Sequence, residues 1–252
     1  MEDRIPSGEL MLAAHMARPR RPTSGRLPAV VICHGYPSSS SAQRAAETTP
    51  ELADRIATEM GWVALAFALR GCDRSDGQFS LGGWLADMLA AVEHIVATES
   101  PAGVWLAGFG TGGALAICAG ARDDRVRGVA AVGSPGDFDD WAGNPRRLLQ
   151  HGRELGMITE PDYPPSLDAW ARELREIRAV ACVQHLAPRP LLVVHGSEDD
   201  VVPPFDARIL ADAHGDGELR FILGAGHGLR HDPRAVAVLL GWLDRQRHAV
   251  SR

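Results

Sequence analysis

Short apolar runs rich in β-branched residues alternate with stretches of helical periodicity along nearly the whole chain. That alternation restricts the fold more than any other feature. "PAVVIC", Pro28 to Cys33, is apolar throughout and stops at His34-Gly35, as expected for a strand buried on both faces. Leu10–Met16, Trp62–Ala68, Val104–Ala107, Val126–Val132, Leu191–Val194 and Arg220–Leu223 read as further strands. Glu51–Met60 (closed by Gly61), Leu81–Glu99, Gly112–Ala121, Pro204–His214 and Pro233–Arg245 read as helices. Within Leu81–Glu99, Trp84, Met88, Val92 and Ile95 recur near helical spacing and mark the face turned to the core. Strands alternating with helices predict the α/β class: a mostly parallel central sheet covered by helices on both faces.

One segment breaks the rhythm. Between Gly136 and Pro188 no strand is expected; Asp140–Leu155 and Ser166–Ile177 read as helices. In the second, Leu167, Trp170, Leu174 and Ile177 form one apolar stripe. Residues 136–188 are therefore expected to form a small helical cap. Residues 1–135 and 189–252 would make up the core, a division that suits a chain of 252 residues.

Composition removes several classes of function. The net charge of −6 argues against nucleic acid or an anionic membrane as partner, since both need a basic surface. The basic stretch Arg18-Pro19-Arg20-Arg21 lies among turn formers and reads as a solvated loop. The chain has no lysine, which removes Schiff-base chemistry, the pyridoxal phosphate anchor and the P-loop lysine. No cofactor is expected. Cys33, Cys72, Cys118 and Cys182 are far apart, so neither a zinc knuckle nor a disulfide framework is indicated. Cys33, Cys118 and Cys182 read as small buried hydrophobes. Cys72 lies near the proposed site, with nothing nearby to lower its pKa. The start, Met1-Glu2-Asp3-Arg4, lacks the apolar core of a signal peptide, and no apolar run reaches membrane-spanning length. A cytoplasmic location is the expectation.

"LAGFGTGGALAI", Leu106 to Ile117, supports two incompatible readings. Gly108-x-Gly110-x-x-Gly113 spells a dinucleotide fingerprint; Gly108-x-Gly110-x-Gly112 spells a nucleophile elbow with glycine in place of serine. The fingerprint requires an acidic residue at the end of the next strand, but that strand ends Val132-Gly133-Ser134. Ligands of open α/β sheets sit at the carboxyl ends of the strands. Those ends here carry His34-Gly35-Tyr36-Pro37, the glycine loop, "HGSEDDVVP" (His195 to Pro203) and "GAGHGLRH" (Gly224 to His231). The order is a tight strand-turn-helix, then a carboxylate, then an imidazole.

This arrangement resembles the α/β-hydrolase superfamily, of the compact esterase and dienelactone-hydrolase-like kind with a short cap, over Pro28 to Leu243. H-G-x-P is similar to the oxyanion turn. "RGCDRSDG", Arg70 to Gly77, is similar to R-G-x-G-x-S-x-G, with Asp73 where glycine is usual. The resemblance implies His227 as base and Asp199 as its orienting acid, with Gly110 at the nucleophile position. Glu198 and Asp200 compete with Asp199, but the register with Val202-Pro203 favours Asp199. The backbone N–H groups of Tyr36 and Thr111 are expected to form the oxyanion hole. Trp141, Tyr163 and Trp170 of the cap, with Ser134, are the expected substrate-binding residues. His34 and His195 are expected to brace backbone. His227 and His231 have i, i+4 spacing but no H-E-x-x-H pattern and no third ligand, so no metal is expected.

Without an oxygen or sulfur at position 110 no acyl-enzyme can form there. Thr111 should be aimed along the helix, and Ser134 ends the adjacent strand, from which it could approach the pocket; either is a weaker candidate as a substitute nucleophile. Three readings remain open. In the first, Asp199 and His227 act as a general base in hydrolysis, elimination or cyclisation of a small, largely apolar carbonyl or ester compound. In the second, the chain is a non-catalytic pseudoenzyme that binds such a ligand. In the third, it is a serine esterase inactivated by substitution at Gly110. In each, the partner is a small molecule, and the chain acts alone or as a homodimer.

Overall fold

Strand β3 (Pro28–Cys33) is buried along its whole length, and its alternate residues face two different packed layers. Ala29, Val31 and Cys33 join one cluster; Val30 and Ile32 join the other. The computed structural model describes residues 3–20, 25–37 and 49–250. Arg21, part of the basic stretch read as a loop, and Met1-Glu2 lie outside the described residues.

The other strands are β1 (Asp3–Ser7), β2 (Leu10–Ala17), β4 (Val63–Phe67), β5 (Gly103–Phe109), β6 (Val126–Val132), β7 (Leu191–Gly196) and β8 (Glu218–Ile222). Their order across the sheet is β1-β2-β4-β3-β5-β6-β7-β8. The β1–β2 and β2–β4 pairs are antiparallel, and every pair from β4 to β8 is parallel. The mostly parallel α/β sheet expected from the alternation is present. β1 was not legible in the sequence, because as an edge strand it buries only Ile5 and Ser7, with Pro6 between them and the charged Asp3 and Arg4 before them.

The helices are α1 (Thr49–Arg55), α2 (Leu81–Glu99), α3 (Thr111–Arg122), α4 (Asp139–Gly143), α5 (Pro145–Glu154), α6 (Leu167–Glu176), α7 (Ala179–Cys182), α8 (Pro204–His214) and α9 (Pro233–Val250). α1 continues into a π-helical turn, Ile56–Met60, and stops at Gly61 with φ 70°. On one face of the sheet α1 and α9 pack over Trp62 and Trp105, whose rings lie 4.9 Å apart. The other face carries α2, α3, α7 and α8.

The segment between β6 and β7 is helical, as the sequence suggests. The single helix expected over Asp140–Leu155 is broken at Asn144. The Asn144 side chain accepts from Arg147 N–H and Pro145 opens the new helix, a strong local start signal. Phe138, Leu148, Leu155, Trp170 and Leu174 belong to the same cluster as β3, β5 and α2, so this segment extends the core. Cys33 and Cys118 are buried as expected, but Cys182 is only half-buried. A hydrogen bond from the Cys118 thiol draws its thiol down to about 7. Among the described residues no helix is long and apolar enough to cross a membrane.

The loop Arg70–Gly77 ties the antiparallel edge to the parallel sheet. Asp87 of α2 has no exposure and accepts from Arg70 N–H at 2.9 Å, Arg70 Nη2–H at 2.7 Å and Ser7 Oγ–H at 2.8 Å. Ser75 Oγ–H donates to Ala68 O at 2.6 Å and accepts from Ala13 N–H at 2.9 Å. Asp73, where the related loops have glycine, has φ 48°, the left-handed region that explains the usual glycine. Asp87→Ala leaves Arg70 without its buried partner. It is expected to cost about 3–5 kcal/mol in urea unfolding, and a loss below about 1 kcal/mol would show that water replaces the carboxylate.

Candidate active site

The chain leaves β5 at Phe109 and enters α3 at Thr111 through Gly110 alone, with φ 53° and ψ −126°. Gly110 N–H donates to Val132 O at 2.8 Å, and Gly110 O accepts from Gly113 N–H at 3.0 Å, which pins the turn to β6. The neighbouring glycines are set by close approach. A Cβ on Gly108 would collide with Gly112 and Gly113, one on Gly112 with the His34 carbonyl, and one on Gly113 with Ser134 Oγ. Gly108 and Gly113 of the G-x-G-x-x-G spelling are thus accounted for by packing of strand, helix and neighbouring turn, with no phosphate invoked. Gly110 differs from them. A Cβ there would stand 3.6 Å from His227 Nε2 and 3.7 Å from Gly35 Cα, both ordinary contacts.

His227 and Asp199 come from the loops after β8 and β7. Asp199 is held by its own loop: Oδ1 accepts from Val201 N–H at 3.0 Å and Val202 N–H at 2.9 Å. Oδ2 accepts from His227 Nδ1–H at 2.9 Å, with the Asp199 side chain fully buried and His227 32% exposed. Because a carboxylate only accepts, this bond puts the proton on Nδ1 and leaves the Nε2 lone pair facing the space over Gly110. Glu198 and Asp200 are exposed, and of the three carboxylates only Asp199 is brought to His227. His195 Nε2–H donates to Val202 O at 3.0 Å and so braces the acid loop.

His34 braces the opposite wall. Its Nε2 accepts from Leu69 N–H at 3.1 Å, so its Nδ1–H donates to Gly35 O at 2.8 Å. Burial pushes the His34 imidazole down to about 4, and it stays neutral. Among the described residues no backbone carbonyl accepts from Tyr36 N–H or Thr111 N–H. Tyr36, next to Gly35, and Thr111, at the first position of α3, both line the cavity with His227.

That space opens into a cavity of about 420 Å³, which His227, Thr111, Tyr36, Phe138, Trp141 and Val201 help to line. A depression of about 590 Å³ along α4 and α5 shares Asp140, Trp141, Leu148 and His151 with it, and its lining does not include His227. The four expected substrate-binding residues separate here. Trp141 lines the cavity, its ring 5.0 Å from that of Tyr36. Trp170 does not: it is buried and its Nε1–H donates to Phe79 O at 3.1 Å, so its stripe position reflects packing. Tyr163 packs half-buried against the same core cluster, away from the cavity lining. Ser134 is fully buried, its Oγ turned against Gly113. Cys72 is buried too, and desolvation raises its thiol, which removes it as a nucleophile. Phe138, His151 and Asp206 line the cavity without having been singled out. Asp206 had a signal, since it follows the acid loop at the start of α8, where its Oδ2 accepts from Gly136 N–H at 2.9 Å. Among the described residues no group of three or more His, Cys, Asp or Glu could hold a metal ion.

Comparisons with known proteins agree with this frame. The sequence model of the alpha/beta hydrolase family matches residues 30–239. Among solved structures, Est1E from Butyrivibrio proteoclasticus superposes with a TM-score of 0.71 at 20% identity, over 99% of this chain and 98% of that one. An esterase from Pyrococcus furiosus gives 0.70 at 17% identity, over 98% and 91%. The meta-cleavage product hydrolase CumD from Pseudomonas fluorescens IP01 gives 0.66 at 18% identity, over 97% and 98%. At these identities the likeness is one of fold. No curated protein matches the sequence significantly.

Two outcomes follow from the geometry. Gly110→Ser has room for its Cβ but must adopt a φ of 53°, so it is expected to lose about 1–3 kcal/mol in thermal or urea unfolding; a higher melting temperature would contradict the elbow. His34 carries its proton at about 4 in the folded chain, against about 6.5 when unfolded. Its stabilising effect is therefore complete above pH ~6.5 and lost as pH falls toward ~4, by at most about 1.4 kcal/mol per pH unit. His34→Gln, which keeps an acceptor for Leu69 N–H, should flatten that part of the stability-against-pH profile.

Proposed function

We propose that this chain, which belongs to the alpha/beta hydrolase family, acts on small, largely apolar carbonyl or ester compounds without forming an acyl-enzyme. One observation carries the reading. An Asp199–His227 pair is fully assembled, and its Nε2 lone pair faces the space over Gly110. A protein that only bound a ligand would have no use for a buried carboxylate fixing a histidine tautomer. In the proposed mechanism the ester's acyl group lies in the cavity, with its carbonyl oxygen near the N–H groups of Tyr36 and Thr111. A water over Gly110 gives its proton to His227 Nε2 as its oxygen attacks the carbonyl carbon. Asp199 holds the imidazolium that forms, and the two amides hold the oxyanion. Collapse of the tetrahedral species expels the alkoxide, which takes the proton back from His227. Trp141 and Phe138, on the helical segment read as a cap, form the wall that would select the acyl group.

The backbone at Gly110 favours a second reading: a serine esterase scaffold in which glycine occupies the nucleophile position. The turn holds the φ of a nucleophile elbow although no side chain depends on it.

Turnover of short acyl esters by the parent chain, His227→Ala and Gly110→Ser separates the two. Direct hydrolysis predicts slow, burst-free turnover by the parent that drops about 10²-fold or more in His227→Ala. Activity that survives His227→Ala would sink the general-base reading. If only Gly110→Ser turns over, with a burst and reaction with a serine-directed phosphonate, the second reading stands.

A further inference from the structure

We propose that Cys182 is a peroxide-reactive thiol and Cys118 its resolving partner, so that a hydroperoxide joins α3 to α7 through a disulfide. The inference stands apart from the catalytic reading, since neither cysteine belongs to the cavity lining.

The four cysteines are far apart in the sequence, and the fold brings these two together. Cys118 lies on α3 and Cys182 ends α7, and the two helices pack against each other. Their side chains share a hydrogen bond in which the Cys118 thiol donates and the Cys182 sulfur accepts. Their surroundings differ. Cys118 has no exposure and belongs to the core cluster, whereas Cys182 packs at the edge of that cluster and is partly open to solvent. The donated S–H favours a thiolate on Cys182 more than partial burial opposes it. Arg122, one turn after Cys118 on α3, adds its positive charge. The Cys182 thiol is thus drawn down to about 7, while the same hydrogen bond and burial push the Cys118 thiol well up. One sulfur is a thiolate that solvent can reach, and beside it stands a protonated thiol that solvent cannot. That is the division between an attacking and a resolving cysteine. Cys33 and Cys72 can take neither part, because both are fully buried and burial raises both thiols.

The chemistry balances in two steps. The Cys182 thiolate attacks the terminal oxygen of the hydroperoxide, the O–O bond breaks, and the alkoxide leaves and takes a proton from water as the alcohol. Cys182 is then a sulfenic acid. Cys118 sulfur attacks Cys182 sulfur, the S–O bond breaks, and the departing hydroxide takes the Cys118 proton as water. Two thiols are oxidised to one disulfide, and one hydroperoxide is reduced to one alcohol and one water. The new bond ties the helix that begins at Thr111 to the end of the segment that carries Phe138 and Trp141. That segment is already anchored near both its ends, where Val180 N–H donates to Gly136 O at 2.9 Å.

The test treats the full-length chain with hydrogen peroxide under native conditions, blocks the remaining thiols and maps peptides without reduction. A Cys118–Cys182 linkage within one chain is expected, with Cys33 and Cys72 still free to alkylate after unfolding. In Cys118→Ala, dimedone should trap Cys182 as the sulfenic acid, and excess peroxide should carry it to the sulfinic acid. Alkylation of Cys182 at pH 7 should slow by about tenfold in that variant, as its thiol returns toward ~8.5. Cys182→Ala should show no linkage and no cysteine oxidation. If the Cys118 variant does not fold, the peptide map of the parent chain decides. Sulfinic acid at Cys182 of the parent without a linkage overturns the resolving role, and an unmodified Cys182 overturns the proposal outright. So does a linkage between two chains, or one that forms only after unfolding.

Discussion

The contact on which the rest of the structure depends is the approach of α3 to β5 and to the His34-Gly35 turn. Gly108, Gly112 and Gly113 let backbone meet backbone there, with no space left for even one side-chain carbon. Helix, strand and turn are consequently locked at one separation. The lock places the first amide of α3 beside the Tyr36 turn, and Gly110 between them. Gly35 takes part from the other side, since a Cβ on it would come within 2.7 Å of Phe109 O. The outer two glycines of the spelling that suggests a dinucleotide site, Gly108 and Gly113, are thus the sequence record of a steric constraint.

Two histidines at strand ends show how surroundings divide labour among like residues. His34 is fully buried and both its ring nitrogens are used by backbone, so it is a neutral brace. His227 is partly exposed, with one nitrogen used by a carboxylate and the other open toward the cavity. The buried Asp199 carboxylate is well supplied with donors, because two loop amides and His227 all donate to it. The acid is therefore held by its own loop, independently of whatever stands at position 110.

The parts of the fold that were legible in the sequence are those where one local signal dominates. β3 and α2 match their expected bounds because double-sided burial and a long apolar stripe leave no alternative. β1 was missed, since an edge strand needs little apolar content, and the break at Asn144 was missed because apolar spacing continues across it. Asp199 and His227 were legible through the order of strand ends, a property of topology. The substrate wall was not. Trp170 and Trp141 look alike as aromatic residues on helices, yet one donates into the core and the other faces the cavity. Which side of a helix meets a cavity depends on its rotation against a neighbour far away in sequence, and no local pattern encodes that.

Glycine at position 110 changes which part of the site is fixed. A serine elbow holds its nucleophile covalently, and the entropy of positioning it is settled when the chain folds. On the proposed general-base reading the nucleophile arrives from solution, and what folding supplies is the acceptor: an imidazole already in the right tautomer, beside two amides that donate to no backbone carbonyl among the described residues. Such a site gives up effective molarity. It also relieves the backbone, because φ of 53° is strained for every residue with a side chain and is open to glycine. The elbow's geometry is then maintained by the packing of Gly35, Gly108, Gly112 and Gly113 and by the bond from Gly110 N–H to Val132 O, none of which involves a side chain at position 110.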